Sequence, residues 1–251
     1  MSACNFLGKR ATIYNIMGVG MKRLGRYLLI LAVVMILWNT VIIKPLKLFT
    51  VFLHELGHAF MAFVFGYGIQ GLNINLNEGG YTLVQSKGWF SSFMVLNGGY
   101  LGSVLFAVLI LWLRRTAFRK YILGSAAIIM LGVAVRYSGI SFTLLYSVIF
   151  AIVVIIVYMV RNENIYDWIV DILGVSSVTY AIYDTFVDTI LLQLNVSLGI
   201  FSGWKVKQPA TDAARLAELT HIPAIVWGII WLVISILAVN AVLLKEKPRR
   251  R

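Results

Sequence analysis

The sequence is short of charge, of proline and of cysteine. Of its 251 residues 13% are charged and 60% are hydrophobic, where a soluble domain carries about 25% charged residues, and the mean hydropathy is +0.87. That balance excludes a water-soluble globular fold. Only four prolines interrupt the chain, so the apolar residues run in long blocks, which excludes disorder, collagen and a coiled-coil repeat. The single cysteine, Cys4, allows no intrachain disulfide and no structural thiolate metal site. Acids are scarce too: ten Asp and Glu face 22 Lys and Arg, a net charge of +12. In a soluble protein that excess would suggest nucleic acid. Here the cations sit at the ends of apolar blocks, in Lys9, Arg10, Lys22, Arg23 and Arg26, in Arg114, Arg115, Arg119 and Lys120, and in Lys245, Lys247 and Arg249 to Arg251. The expected partner is therefore the lipid bilayer and not nucleic acid, with basic clusters on the cytoplasmic side.

What is present is apolar length. A bilayer crossing takes about 20 mostly apolar residues, and seven blocks meet or approach that, near 27–43, 46–66, 90–113, 121–137, 139–160, 168–194 and 222–244. The first block lacks a small-residue cleavage site and reads as a retained anchor. The fold class is an all-α polytopic membrane protein of six to seven transmembrane helices. It reads as a single domain over 1–251, with a basic N-terminal segment at 1–26 and a basic tail at 245–251. Both termini and the 114–120 loop are basic and prefer the same side, which six crossings satisfy and seven do not. One of the first three blocks should then fail to cross fully, and the block at 46–66, or its junction with the polar stretch that follows, is expected to be a re-entrant feature.

After that block the sequence turns polar. From Ile69 to Val84, Leu72, Ile74 and Leu76 alternate with Asn73, Asn75 and Asn77, and Gly79-Gly80 follows. Alternation is strand period and the glycines supply a turn, so a short β-hairpin is expected; a solvated loop is the plainer alternative.

The chemistry lies inside the second block, in F-L-H-E-L-G-H-A-F. His54 and His58 are i and i+4 with Glu55 beside the first. Four residues make just over one helical turn, so both imidazoles leave one face and can share a zinc ion, while Glu55 lies about 100° around the helix, placed to act as a base. With three histidines and five glutamates in the chain, an accidental H-E-x-x-H is expected in roughly one such sequence in a thousand. An ionisable side chain at mid-bilayer also costs about 2–3 kcal/mol. Gly57, between the two histidines, would let a second helix approach closely.

A catalytic zinc site needs a third protein ligand. His221 precedes Ile222-Pro223 and reads as an interfacial residue at a helix start. Asp184 and Asp188 form an i,i+4 pair in Y-D-T-F-V-D, where buried carboxylates call for a cation or a proton. Either could complete the metal site, the other orienting a histidine from behind. Wet carboxylates on a kinked helix are the plainer alternative. Asp212, in T-D-A-A-R-L-A-E-L-T, has the look of a helix N-cap. The order of expectation is Asp184, then Asp188, then Asp212.

With H-E-L-G-H in a hydrophobic block, N-E-G-G-Y-T at 77–82, G-G-Y-L-G-S at 98–103, Y-D-T-F-V-D at 183–188 and T-D-A-A-R-L-A-E-L-T-H-I-P-A-I-V-W-G at 211–228, the sequence resembles the site-2 protease family of intramembrane zinc metalloproteases over about residues 46–231. It looks closest to the family's small subgroup without appended domains. The resemblance implies His54 and His58 as zinc ligands, Glu55 as general base, and an aspartate ligand from a later transmembrane helix. In that family the aspartate usually precedes a glycine; no Asp-Gly occurs here, and the three aspartates stay open. It also implies a transmembrane protein substrate, clamped as an extended strand beside the site. The expected function is intramembrane zinc endopeptidase. A catalytically silent relative acting as a binding module, and a cation-binding transporter, are the alternatives.

Overall fold

The structure is a computed structural model that describes residues 23–198 and 211–244. The basic N-terminal segment before residue 23, the tail after 244, and the expectations placed on them lie outside the described residues. The helices are α1 (residues 23–36), α2 (Lys44–Val64), α3 (Trp89–Leu113), α4 (Ile122–Tyr137), α5 (Phe142–Met159), α6 (Glu163–Thr185), α7 (Leu192–Leu198), α8 (Asp212–Thr220) and α9 (Ala224–Leu244). A 3₁₀ turn, Ala117–Tyr121, leads into α4, and a π-helical segment, Phe186–Leu191, joins α6 to α7. Strands β1 (Ile69–Ile74) and β2 (Gly80–Val84) form one antiparallel hairpin.

Among the described residues, six helical stretches are long and apolar enough to cross a membrane: Lys44–Val64, Trp89–Leu113, Ala117–Tyr137, Phe142–Met159, Glu163–Asn195 and Ala224–Val242. The 46–66 block, expected to turn back, is instead part of one unbroken helix, α2. Pro45 sits at its start, where a missing N–H costs nothing. Gly66 ends it: with φ 74° it bonds from its N–H to the Phe63 carbonyl, while the Tyr67 N–H bonds to that of Ala62. This is a Schellman closure, which needs a left-handed residue after the cap. The first block enters as α1, whose described part, residues 23–36, is shorter than the about 20 residues of a crossing.

Burial separates an inner set of spans from an outer one. The spans containing α2, α3 and α6 are 67%, 56% and 61% buried, against 28%, 22% and 17% for those containing α4, α5 and α9. Apolar side chains such as Ile128, Ile152 and Leu237 cover the exposed faces of the outer helices, as lipid requires and water does not. Phe49, Phe52, Leu72, Ile74, Leu123 and Val170 lie in the main core; a smaller cluster of Tyr100, Ala213, Leu216, Ala224, Trp227 and Trp231 docks α8 against α3 and α9.

The hairpin expected between 69 and 84 is present and tucked into this core. Leu72 and Ile74 point inward and are fully buried. The reversal lies earlier than Gly79-Gly80: Asn75 N–H bonds to the Gly79 carbonyl, Glu78 takes the left-handed conformation, and Gly80 already belongs to β2. The edge of β1 away from β2 is satisfied by hydroxyls. Ser138 donates to the Leu72 carbonyl, and the Ile74 N–H donates to Thr143 Oγ1. An open strand edge could not stand among apolar helices without such partners.

Glu163 and Asp167, the acids at the start of α6, are helical. Asn162 caps this helix, accepting from the N–H groups of Asn164 and Ile165. Asp171, 1% exposed, meets Arg26 of α1 and Arg114 at the end of α3, while Asp167 pairs with Arg114 and Arg119. Carboxylates at this depth are tolerated because each is paired.

Candidate metal centre

The centre is built where α2 crosses α3. Gly57 packs on Gly98 and Gly102, so closely that a Cβ on Gly57 would meet the Gly98 carbonyl oxygen. Small residues let two backbones approach in this way. The crossing brings Val95 under the second histidine: His58 donates its Nδ1 proton to the Val95 carbonyl at 2.8 Å. That bond fixes the tautomer and leaves the Nε2 lone pair aimed at His54. The two Nε2 atoms are 3.2 Å apart.

Asp212 completes the set. Its Oδ2 lies 3.0 Å from His54 Nε2 and 2.9 Å from His58 Nε2, and the three ligand atoms lie within 4.8 Å of one another. A carboxylate oxygen only accepts, and a neutral imidazole protonated at Nδ1 also presents an acceptor at Nε2. Two acceptors at 2.9 Å require a cation or a proton between them. Ligands about 2.0–2.1 Å from a tetrahedral zinc ion stand about 3.3 Å apart, close to the observed spacing, and the two-nitrogen, one-oxygen donor set suits zinc. The residues fit the metal.

The geometry reorders the three aspartates. Asp212, placed last by sequence and read there as an N-cap, is the first helical residue of α8; the cap is Thr211, whose hydroxyl accepts from the Ala214 N–H. Because Thr211 caps the helix, the Asp212 carboxylate is free to point at the histidines. The signal was in the sequence, since threonine directly before an acidic first turn is itself a cap residue. Asp184, placed first, lines the same cavity of about 620 Å³ but is not among the groups that converge on the imidazoles. Asp188 sits in the π-helical segment, as bulges at functional sites often do. It accepts from the Tyr100 hydroxyl at 3.2 Å, and the Tyr100 ring meets His54 edge-on with centroids 4.7 Å apart. Asp188 therefore reaches the histidine through Tyr100, which no local pattern singles out. His221, exposed, caps the C-terminus of α8 at φ 59° instead of starting a helix.

Glu55 is 5% exposed and is held by the hairpin. Thr82 of β2 donates to its Oε2 at 2.7 Å, and a Cβ on Gly80 would stand 2.5 Å from its Oε1. Glycine is needed at position 80 so that the strand can lie against the carboxylate. Across the cavity the hairpin turn is tied down by Glu78, whose carboxylate accepts from the buried Lys47 of α2 at 3.2 Å.

Gly99 faces both imidazoles, and a Cβ there would fall 2.5 Å from His58 Nε2. Gly99→Ala is expected to displace the rings and lower bound metal at least about tenfold, the scale of disturbing a ligand's supporting contact. Metal analysis of the purified variant beside wild type checks this; unchanged stoichiometry would mean that the rings have room to shift.

The fold and this centre define a class: a polytopic membrane protein with an H-E-x-x-H helix whose two histidines meet a carboxylate from a distant helix. The family model described as Peptidase M50B-like matches residues 27–242, and the chain belongs to that family, in agreement with the resemblance to site-2 proteases. It is accordingly an integral membrane protein of a metalloprotease family. No curated protein and no solved structure matches the chain.

Proposed function

We propose that this protein is an intramembrane zinc endopeptidase that hydrolyses peptide bonds of transmembrane protein substrates. The observation that carries the reading is the meeting of Asp212 Oδ2 with both imidazole Nε2 atoms in a cavity that Glu55 also lines. In this reading His54, His58 and Asp212 are the metal ligands, in place of the Asp184 expected from sequence. When bound, zinc supplies Lewis acidity, polarising a carbonyl and bringing the pKa of water toward about 7.

The chain's own residues supply the rest. Glu55 takes the proton of the attacking water and passes it to the departing amide nitrogen. Thr82 holds one carboxylate oxygen of that base at 2.7 Å, which fixes its direction. Residues Gly80 to Val84 line the cavity, and among the described residues β2 has β1 as its one strand neighbour. Its other edge offers backbone groups to an unwound substrate segment, which would add to the sheet as a strand. A transmembrane helix must unwind for this, because its peptide groups are otherwise engaged within the helix.

The test is cleavage of a model transmembrane substrate by the purified protein in detergent. Chelation should abolish cleavage and added zinc should restore it, because two neutral imidazoles and a carboxylate are left with no ion between them. Cleavage that survives complete removal of metal would overturn the reading.

A further inference from the structure

A second polar cavity lies at the other end of α3. Gly99, beside the metal centre, and Leu113, at the end of the helix, are separated by about 20 Å of helix rise, and past Leu113 the chain enters the basic turn before α4. There a cavity of about 370 Å³ is lined by the cations Arg119, Lys120 and Arg161, by Tyr158, Asn162 and Tyr166, and by the carboxylates Glu163 and Asp167. It gathers the start of the span at Ala117–Tyr137, the end of that at Phe142–Met159 and the start of that at Glu163–Asn195. It therefore sits at one membrane boundary.

The cavity wall is held in place from within. Tyr158 donates to the Lys120 carbonyl at 2.6 Å and accepts from the Gly124 N–H, and Tyr166 donates to the Arg119 carbonyl at 2.8 Å. Arg119 is committed to Glu163 and Asp167. Lys120 and Arg161 form no ion pair among the described residues; the Lys120 ammonium lies 5.0 Å from the Tyr121 ring centroid. Both are exposed. Asn162, whose side chain already accepts from the N–H groups of Asn164 and Ile165 at the start of α6, completes the same wall. Beside the cations, Phe118, Tyr121, Met159 and Val160 present exposed apolar side chains.

We infer that this cavity binds the phosphodiester headgroup of an anionic phospholipid, with Lys120 and Arg161 as the phosphate-contacting residues. Arg119 is neutralised by Glu163 and Asp167, which leaves Lys120 and Arg161 as two cations without an ion pair among the described residues, enough charge for one phosphate. A soluble phosphate compound would use the same cations; the apolar rim favours lipid, because acyl chains would lie along Met159 and Val160 while the headgroup enters the cavity.

Native mass spectrometry of the full chain in neutral detergent, titrated with phosphatidylglycerol, tests this. The double variant Lys120→Gln/Arg161→Gln should lose at least tenfold in phosphatidylglycerol retention. Lys87→Gln/Arg136→Gln, which removes the same charge elsewhere, should bind as wild type does, and Arg161→Lys should keep most of the binding. Phosphatidylcholine should be retained weakly by all. Equal retention by both double variants would overturn the assignment. So would displacement of the lipid by glycerol phosphate at equal concentration, which would make the ligand a soluble phosphate. If the double variant has a lowered Tm, the single Lys120→Gln variant decides by the same readout.

Discussion

Asp212→Ala should release the metal and end hydrolysis, while Asp184→Ala should keep zinc at the wild-type stoichiometry. The Asp212 carboxylate approaches His54 and His58 at 3.0 and 2.9 Å, and alanine would leave two imidazoles facing each other with no negative ligand. The expected fall in zinc affinity exceeds the 10- to 100-fold typical of losing an outer-shell partner. Thr211→Ala is the informative control. It removes the hydroxyl that accepts from the Ala214 N–H and should cost about 1 kcal/mol of stability with the metal still bound. Zinc analysis of the three purified variants checks the set. A zinc-free Asp184→Ala beside a zinc-loaded Asp212→Ala would return the ligand to the helix where sequence first placed it.

Glu55→Gln should separate binding from chemistry. Glutamine is nearly isosteric, its amide oxygen can still accept from the Thr82 hydroxyl that now bonds Glu55 Oε2, and neither histidine is disturbed. Zinc content should stay unchanged. Hydrolysis should fall by roughly 10²- to 10⁴-fold, the usual contribution of a positioned general base, and the loss should appear in kcat because a proton acceptor acts in the transition state. Wild-type cleavage by this variant would remove Glu55 from the mechanism. Loss of zinc from it would make the carboxylate a structural group.

Parts of this architecture were legible because they depend on local pattern. H-E-L-G-H declared its geometry at once, since helical spacing alone places His54 and His58 on one face. The Leu72 and Ile74 alternation gave the hairpin, whose inward side chains are fully buried. Charge parity suggested that one early block does not cross and put the block at 46–66 first, yet that block is one unbroken helix long and apolar enough to span. The feature after α2 that looked like a membrane turn is a Schellman cap at Gly66 followed by a strand, so the polar segment needed no break within the helix.

The sequence by itself determined the environment, the helical class and two of the three residues of the candidate metal centre, because apolar block length, residue spacing and the price of burying ionisable groups act within a few turns of chain. Tertiary structure decided which aspartate meets the histidines. Asp184 looked stronger because it stands inside an apolar block, where a carboxylate demands a partner. Asp212 lies 158 residues from His54 in a short helix, and nothing local distinguishes it from an ordinary first-turn acid. It reaches the histidines because Ala213 and Leu216 on the same helix are buried against Tyr100, Trp227 and Trp231, which holds the N-terminus of α8 over the α2–α3 crossing. Side-chain packing between distant segments makes that choice, and local periodicity carries no record of it.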